Sequence, residues 1–383
     1  MKNWKFLLFI IIISVGCKKP YNPKVINAPS SYLVVEGVIN TNDVTTIKLS
    51  RTVNLNSAVT TNPVNDATIS VESDAGSSYG LTSSVAGTYT LSGTTLDNTR
   101  KYRIRIKTED NKEYLSDFVQ TMVTPPIDSI GFNLTGKGIQ IYVNTHDPKN
   151  NTHYYRFDYS ETWKFHSKYN SAFISNGVGI LYRTPDQDIY TCFTGNTSST
   201  ILLGSSAKLK QDVIYQNPVI AIESTSEKIE IKYSILVDEY ALTADAYKFW
   251  GNLKKNTEQL GSIFDAEPSE ISGNIHNTAN ATEPVIGYIS AGTVSSKRVF
   301  ISNTQLPQSW YPTYPYSCEL DSAWFHAPHT GENQVQDILV PFLALPVSAF
   351  FNGGPGPAGY LYSDSQCVDC TIRGTKQQPA FWQ

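Results

Sequence analysis

Charge is scarce in this chain. Charged side chains make up 17% of its 383 residues, well under the roughly 25% of average soluble proteins. The formal net charge is −4, and no basic run extends beyond Lys18-Lys19, which argues against nucleic acid as a partner. Beyond the first sixteen residues there is no long apolar run, so no membrane-spanning helix is predicted; one needs roughly 20 apolar residues. No Ser-His-Asp order, phosphate loop or pair of glycosidase carboxylates is legible, so no cofactor and no enzymatic activity are expected. What fills the gap is Tyr (23), Phe (16), Thr, Ser and Asn. That profile suits an extracytoplasmic β-protein. The length suggests two domains, with ample chain for a core.

The N-terminus predicts export. Lys2 and Lys5 form a positive n-region, and Phe6 to Val15 is apolar except for Ser14. This run is too short to span a bilayer, so residues 1–16 read as a signal peptide. Ser14-Val15-Gly16-Cys17 resembles the lipobox of bacterial lipoproteins, with Ser14 where that family usually has Leu. The resemblance implies cleavage after Gly16 and diacylation of the Cys17 thiol by palmitate-type chains. Each buried CH₂ contributes about 0.8 kcal/mol, so several chains hold a protein on a membrane far longer than one. The alternative is an ordinary secreted protein with a chance cysteine.

Residues 17–30, rich in Lys, Pro and Asn, read as a tether. From 31 to 124 short strands follow one another. Tyr102, Ile104 and Ile106 alternate with Arg103, Arg105 and Lys107, the period-two pattern of half-buried antiparallel strands. Turn signals such as Asp74-Ala75-Gly76 separate them. The expected fold class is mainly β: an immunoglobulin-like or transthyretin-like sandwich, then a larger β-rich domain over 127–383, beyond Pro125-Pro126. One helix is expected near 243–260. Thr243 can cap it, Asp245 suits its first turn and Gly261 its end. Tyr247, Trp250 and Leu253 form a stripe on it that reads as core.

Cys192, Cys318, Cys367 and Cys370 remain after lipidation. An even count in an oxidising compartment predicts two disulfides, with three possible connectivities. A Cys318–Cys367 bridge would be worth about 4 kcal/mol by loop entropy, against about 2 within Cys367-x-x-Cys370. A zinc site of His326, His329, Cys367 and Cys370 is the alternative. Gly76-Ser77-Ser78-Tyr79-Gly80 matches a nucleophile elbow, yet strand-like residues flank it on both sides, so a hairpin turn is expected. Asp186 and Asp188 read as a solvated turn rather than a calcium loop. The remaining histidines, His146, His153, His166 and His276, are scattered.

Three stretches carry a wider resemblance. They are Tyr154 to Tyr159 with Glu161-Thr162-Trp163; Lys254 to Glu258 running through Gly261-Ser262-Ile263-Phe264-Asp265 to Gly273-Asn274-Ile275; and Cys367-Val368-Asp369-Cys370 ahead of Phe381-Trp382. Together with the lipobox they resemble a family of Bacteroidota outer-membrane lipoproteins built on a domain of unknown function. Gly374-Thr375 departs from that family's usual paired glycines. Members are often encoded beside TonB-dependent receptors. The resemblance therefore implies lipid anchoring in the outer membrane, facing either the cell surface or the periplasm. It also implies a TonB-dependent receptor as partner. The expected role is a non-catalytic binding or lid subunit in nutrient uptake; the alternative is a lipid-anchored hydrolase of glycans or peptides. Tyr- and Pro-rich loops over Gln308 to Tyr316 and Phe351 to Tyr362 are the expected contact surface; the alternative is that they merely cover the sheet.

Overall fold

The structure is a computed structural model that describes residues 31–54, 57–258 and 273–382. Cys17, the tether and Gly261 lie outside the described residues. Among the described residues the chain is mainly β, with one long helix, and its buried apolar side chains form separate clusters.

The first body is a β-sandwich whose two layers join into one continuous hydrogen-bonded sheet. Its alternation is as expected. In Lys101–Lys107, Tyr102, Ile104 and Ile106 are fully buried. Their neighbours Arg103 and Arg105 sit on the outer face, where both bind Glu72, at 2.8 and 2.6 Å. Arg105 also reaches Glu113 at 2.5 Å. These partners, Arg105 first, hold the Glu72 carboxyl below its ordinary pKa. The layers meet at Val119–Met122, which pairs with Lys101–Lys107 on one side and Ser290–Gly292 on the other.

That last pairing corrects the expected boundary. Ile275–Asn277, Val285–Gly287 and Ser290–Gly292 belong to the first sandwich, not to the region beyond residue 127. Leu33–Asn40 pairs in parallel with the last two of these strands, and Ile275, Val285, Ile289 and Ala291 complete its core. Parallel neighbours need a long crossover, so local turn signals could not reveal them. Gly287 has a φ of +146°, and a Cβ there would lie 2.2 Å from the Val35 carbonyl oxygen. Only glycine fits so close an approach of two backbones.

The second body packs two sheets face to face. One holds Ile127–Thr135, Gly138–His146 and Val213–Glu223; the other holds Thr191–Thr197, Tyr154–His166, Lys232–Ala241 and Val294–Ser302, with Leu202–Ser205 at its side. Ile139, Ile141, Tyr155, Phe157, Tyr233 and Ile235 fill the space between. Glu239 is buried there too. Its Oε1 accepts from Thr145 Oγ1 at 2.9 Å, and its Oε2 has no partner. Burial pushes this carboxyl up to about 8, because an unpaired buried charge is costly.

The helix runs Ala244–Glu258, and the Ala246 N–H donates to Thr243 Oγ1 at 3.2 Å, the expected cap. Its buried residues are Ala246 and Phe249. The Tyr247, Trp250, Leu253 stripe is only half-buried, beside that face rather than on it. The expectation that the stripe is core is corrected accordingly.

Candidate functional site

A C-terminal module hangs on the second body. Its sheet has Gly359–Ser363 between Asp321–Trp324 and Leu345–Phe350, and the hairpin Phe173–Ser175/Ile180–Tyr182 packs beside it. Regular hydrogen bonding is sparse here, and covalent links take its place. Cys192 is bonded to Cys370 and Cys318 to Cys367, with sequence separations of 178 and 49. By loop entropy these are worth about 5 and about 4 kcal/mol. The long Cys318–Cys367 bridge expected as a staple is present. The zinc alternative is overturned, because Cys367 and Cys370 are committed to different disulfides. His326 and His329 hold no cysteine between them, and among the described residues no three His, Cys, Asp or Glu side chains converge on a metal position.

Other pins hold the module down. Arg373 pairs with Glu227 and lies 4.7 Å over the Phe165 ring. Phe193 and Thr375 form an isolated antiparallel bridge. Trp382 packs edge-on against Phe193 and Phe300 at 5.1 and 5.6 Å, and Arg298 lies 3.7 Å over Phe381. The terminal Phe-Trp is thus an anchor onto the second body.

Against that rigid frame the module exposes large apolar groups. Leu343 is 73% exposed, Phe342 57%, Val178 81%, Tyr182 77% and Phe351 65%. Ser175 Oγ donates to the Val340 carbonyl at 3.0 Å, so the hairpin tip lies beside the Phe342 turn. Phe342 follows a five-residue π-helix, Val335–Leu339, and has a φ of +61°. A bulky residue rarely adopts that conformation, and such strain clusters at functional positions. Composition hid this platform. Its residues are contributed by Gly177-Val178-Gly179, Leu181-Tyr182 and Pro341-Phe342-Leu343, whose common signal is an apolar residue beside a turn residue. The expected loops contribute less: Phe351 and Tyr311 are exposed, while Trp310 packs on the second core and Tyr314 donates to Glu230 at 3.1 Å.

The other singled-out residues are structural. Ser78–Gly80 pairs with Thr68–Ser73, and Gly76 has a φ of +88°, so the Gly-x-Ser-x-Gly match is the expected hairpin turn. Asp186 lies within a 3-10 turn over Pro185–Gln187 and Asp188 caps its end, where the Tyr190 N–H donates to Asp188 at 3.0 Å. His146 binds Asp128 at 2.7 Å, His166 binds Glu230 at 3.3 Å, and His276 stands 3.9 Å from Asp117. One Ser-His-Asp trio does assemble, from His153, Ser206 and Asp212. Its order is wrong for catalysis. Ser206 is fully buried and donates to Asp212, whereas a nucleophile must give its proton to the histidine and face substrate. Tyr155 donates to the same Asp212, tying its strand to the turn that precedes Val213–Glu223. Among the described residues, no helix is long and apolar enough to cross a membrane.

Comparison with known proteins adds a family. Residues 18–298 match the family described as Domain of unknown function (DUF4249). No curated protein matches. Among solved structures, a two fibronectin type III domain segment from chicken tenascin is 10% identical, covering 55% of this chain and 92% of that one, with a TM-score of 0.17. The BSP domain of a biofilm associated protein is 6% identical, covering 72% and 60%, with a TM-score of 0.11. At those scores neither likeness carries an argument. The family match spans well over half of the chain, and the chain belongs to that family.

Proposed function

We propose that this DUF4249 member is a non-catalytic binding or lid subunit of nutrient uptake. Acyl chains on Cys17 hold it at a Bacteroidota outer membrane, and it docks onto a TonB-dependent transporter. The observation that carries the reading is the apolar platform on the disulfide-pinned module, with Val178, Tyr182, Phe342 and Leu343 exposed. Exposed apolar surface of this kind marks interaction sites, and rigid aromatic anchors dominate binding energy. The leader and the wider resemblance support the location and the partner. The alternative, a lipid-anchored hydrolase, lacks support from the Ser-His-Asp trio, whose serine is buried.

The test is affinity purification of the tagged full chain from native membranes. A TonB-dependent β-barrel co-purifies with the wild type. It is lost when Val178, Phe342 and Leu343 are all changed to Ser, with melting temperature unchanged. Cys17→Ala abolishes acyl labelling. A barrel retained by the triple variant removes the platform as contact, and turnover of glycans or peptides by the purified protein overturns the non-enzymatic reading.

A further inference from the structure

A cleft of about 860 Å³ opens between the first sandwich and the second body. That volume lies within the usual range of ligand sites. Its floor is the outward face of two paired strands. Arg156, Asp158 and Ser160 alternate along Tyr154–His166, while the opposite face of the same strand buries Tyr155, Phe157 and Phe165. The register sets Arg156 opposite Tyr240 and Asp158 opposite Asp238. The helix contributes Trp250 and the loop after Thr197 contributes hydroxyls.

Arg156 is held with unusual care for a side chain at a cavity wall. Its guanidinium lies 4.5 Å from the Tyr240 ring and 4.4 Å from the Trp250 ring. It is 8% exposed, donates from Nη2 to Asp158 at 2.9 Å, and has no partner at Nε. Asp238 accepts from Ser296 Oγ at 2.5 Å. Burial, with Asp158 nearby, pushes its carboxyl above the ordinary range. Like charges directly opposite one another in a sheet are destabilising. The Asp158–Asp238 pair is a cost that Arg156 offsets on one side and that Ser296, with Arg298 nearby, offsets on the other.

The chemistry of the lining selects among ligands. Two basic residues, Lys48 and Arg156, and four acidic ones, Glu36, Asp158, Asp238 and Glu258, line the cleft; Lys254 pairs with Glu258 at 3.7 Å, which still leaves carboxylates in excess. An anion would meet the excess of carboxylates. An ammonium would offer Arg156 no acceptor. A hydroxyl group donates to a carboxylate and accepts from a guanidinium at once, and the aromatic walls suit the apolar face of a sugar ring. We infer that this cleft binds a neutral oligosaccharide, with its hydroxyls bridging Arg156 and the Asp158–Asp238 pair. The inference goes beyond the docking reading and does not rest on it.

Isothermal titration of the full chain in detergent tests it. The probes are gluco-, manno- and xylo-oligosaccharides of equal length, an oligogalacturonide as anion and a chitosan oligomer as cation. At least one neutral probe binds and the charged ones do not. Asp238→Asn and Arg156→Lys each weaken that binding about tenfold, the effect of one hydrogen bond to a charged group. Asp238→Asn keeps or raises the melting temperature, since it removes the like-charge pair, so its loss of binding is not a folding defect. Neither variant affects barrel capture. Failure of every neutral probe, preference for a charged probe, or unchanged binding in both variants overturns the inference.

Discussion

The first sandwich and the C-terminal module solve the same problem with different means. The sandwich buries Tyr102, Ile104, Ile106, Val71 and Leu33 on regular ladders and covers its outer face with ion pairs around Glu72. The module has few ladders, and it leaves Phe342 and Leu343 in water. Two disulfides and a terminal aromatic anchor supplement its small cores around Tyr360 and around Val347 and Val368. Apolar surface left in water does not contribute to folding, and the covalent links offset that loss.

The largest effect should come from breaking the contrast at the Cys192–Cys370 bridge. Changing both cysteines to Ala should cost about 5 kcal/mol by loop entropy. Limited proteolysis should then release the module while the first sandwich survives. A variant that unfolds in one step, with both regions cut together, would show that the staple serves the whole chain. Next comes Ile104→Ala in the fully buried core of the sandwich, with a cost of about 3 kcal/mol. The loss should be the same with and without reductant. Dependence on reductant would mean that the two regions are not independently secured.

Acid and base sharpen the comparison further. Glu72, held low by arginines, contributes stability that is present above the ordinary carboxylate range and is lost as pH falls through its lowered value. Glu239 has the opposite sign. Its folded value near 8 exceeds its unfolded one, so its contribution is full below about 4.5 and is lost as pH rises toward 8. The melting temperature of Glu239→Gln minus that of wild type should therefore grow between pH 5 and pH 8 and level off above. A difference that is flat across that range would mean that Glu239 is not protonated in the folded state. The smallest effect is expected at the platform. Phe342→Gly, which relieves a positive φ, should shift stability by under about 1 kcal/mol, while barrel capture weakens. A large loss of stability would place Phe342 in the fold and not at the interface.

How much of this was legible followed from the range of each signal. The alternation at Tyr102, Ile104 and Ile106 is local, and the buried face follows from it directly. The Thr243 cap was equally readable. Parallel strands contributed from beyond residue 274 were not, since nothing near Val285 points to Val35. The helix stripe was misjudged because three-residue spacing drifts around a 3.6-residue turn, so Ala246 and Phe249 take the inner face instead. The cleft was illegible for a related reason. Arg156 and Asp158 are two residues apart, but Tyr240, Asp238 and Trp250 reach them only through sheet register and helix placement.

The interlocking of early and late segments also sets an order of assembly. Leu33 pairs with Val285, 285 − 33 = 252 positions further along. A chain delivered amino end first cannot close its first sandwich until most of the second body has followed. Until then the Val35 to Ile39 edge has no partner on that side. Such non-local pairing slows folding and leaves strand edges exposed to wrong neighbours. Any truncation before residue 275 would therefore damage the beginning of the protein, not merely remove its end.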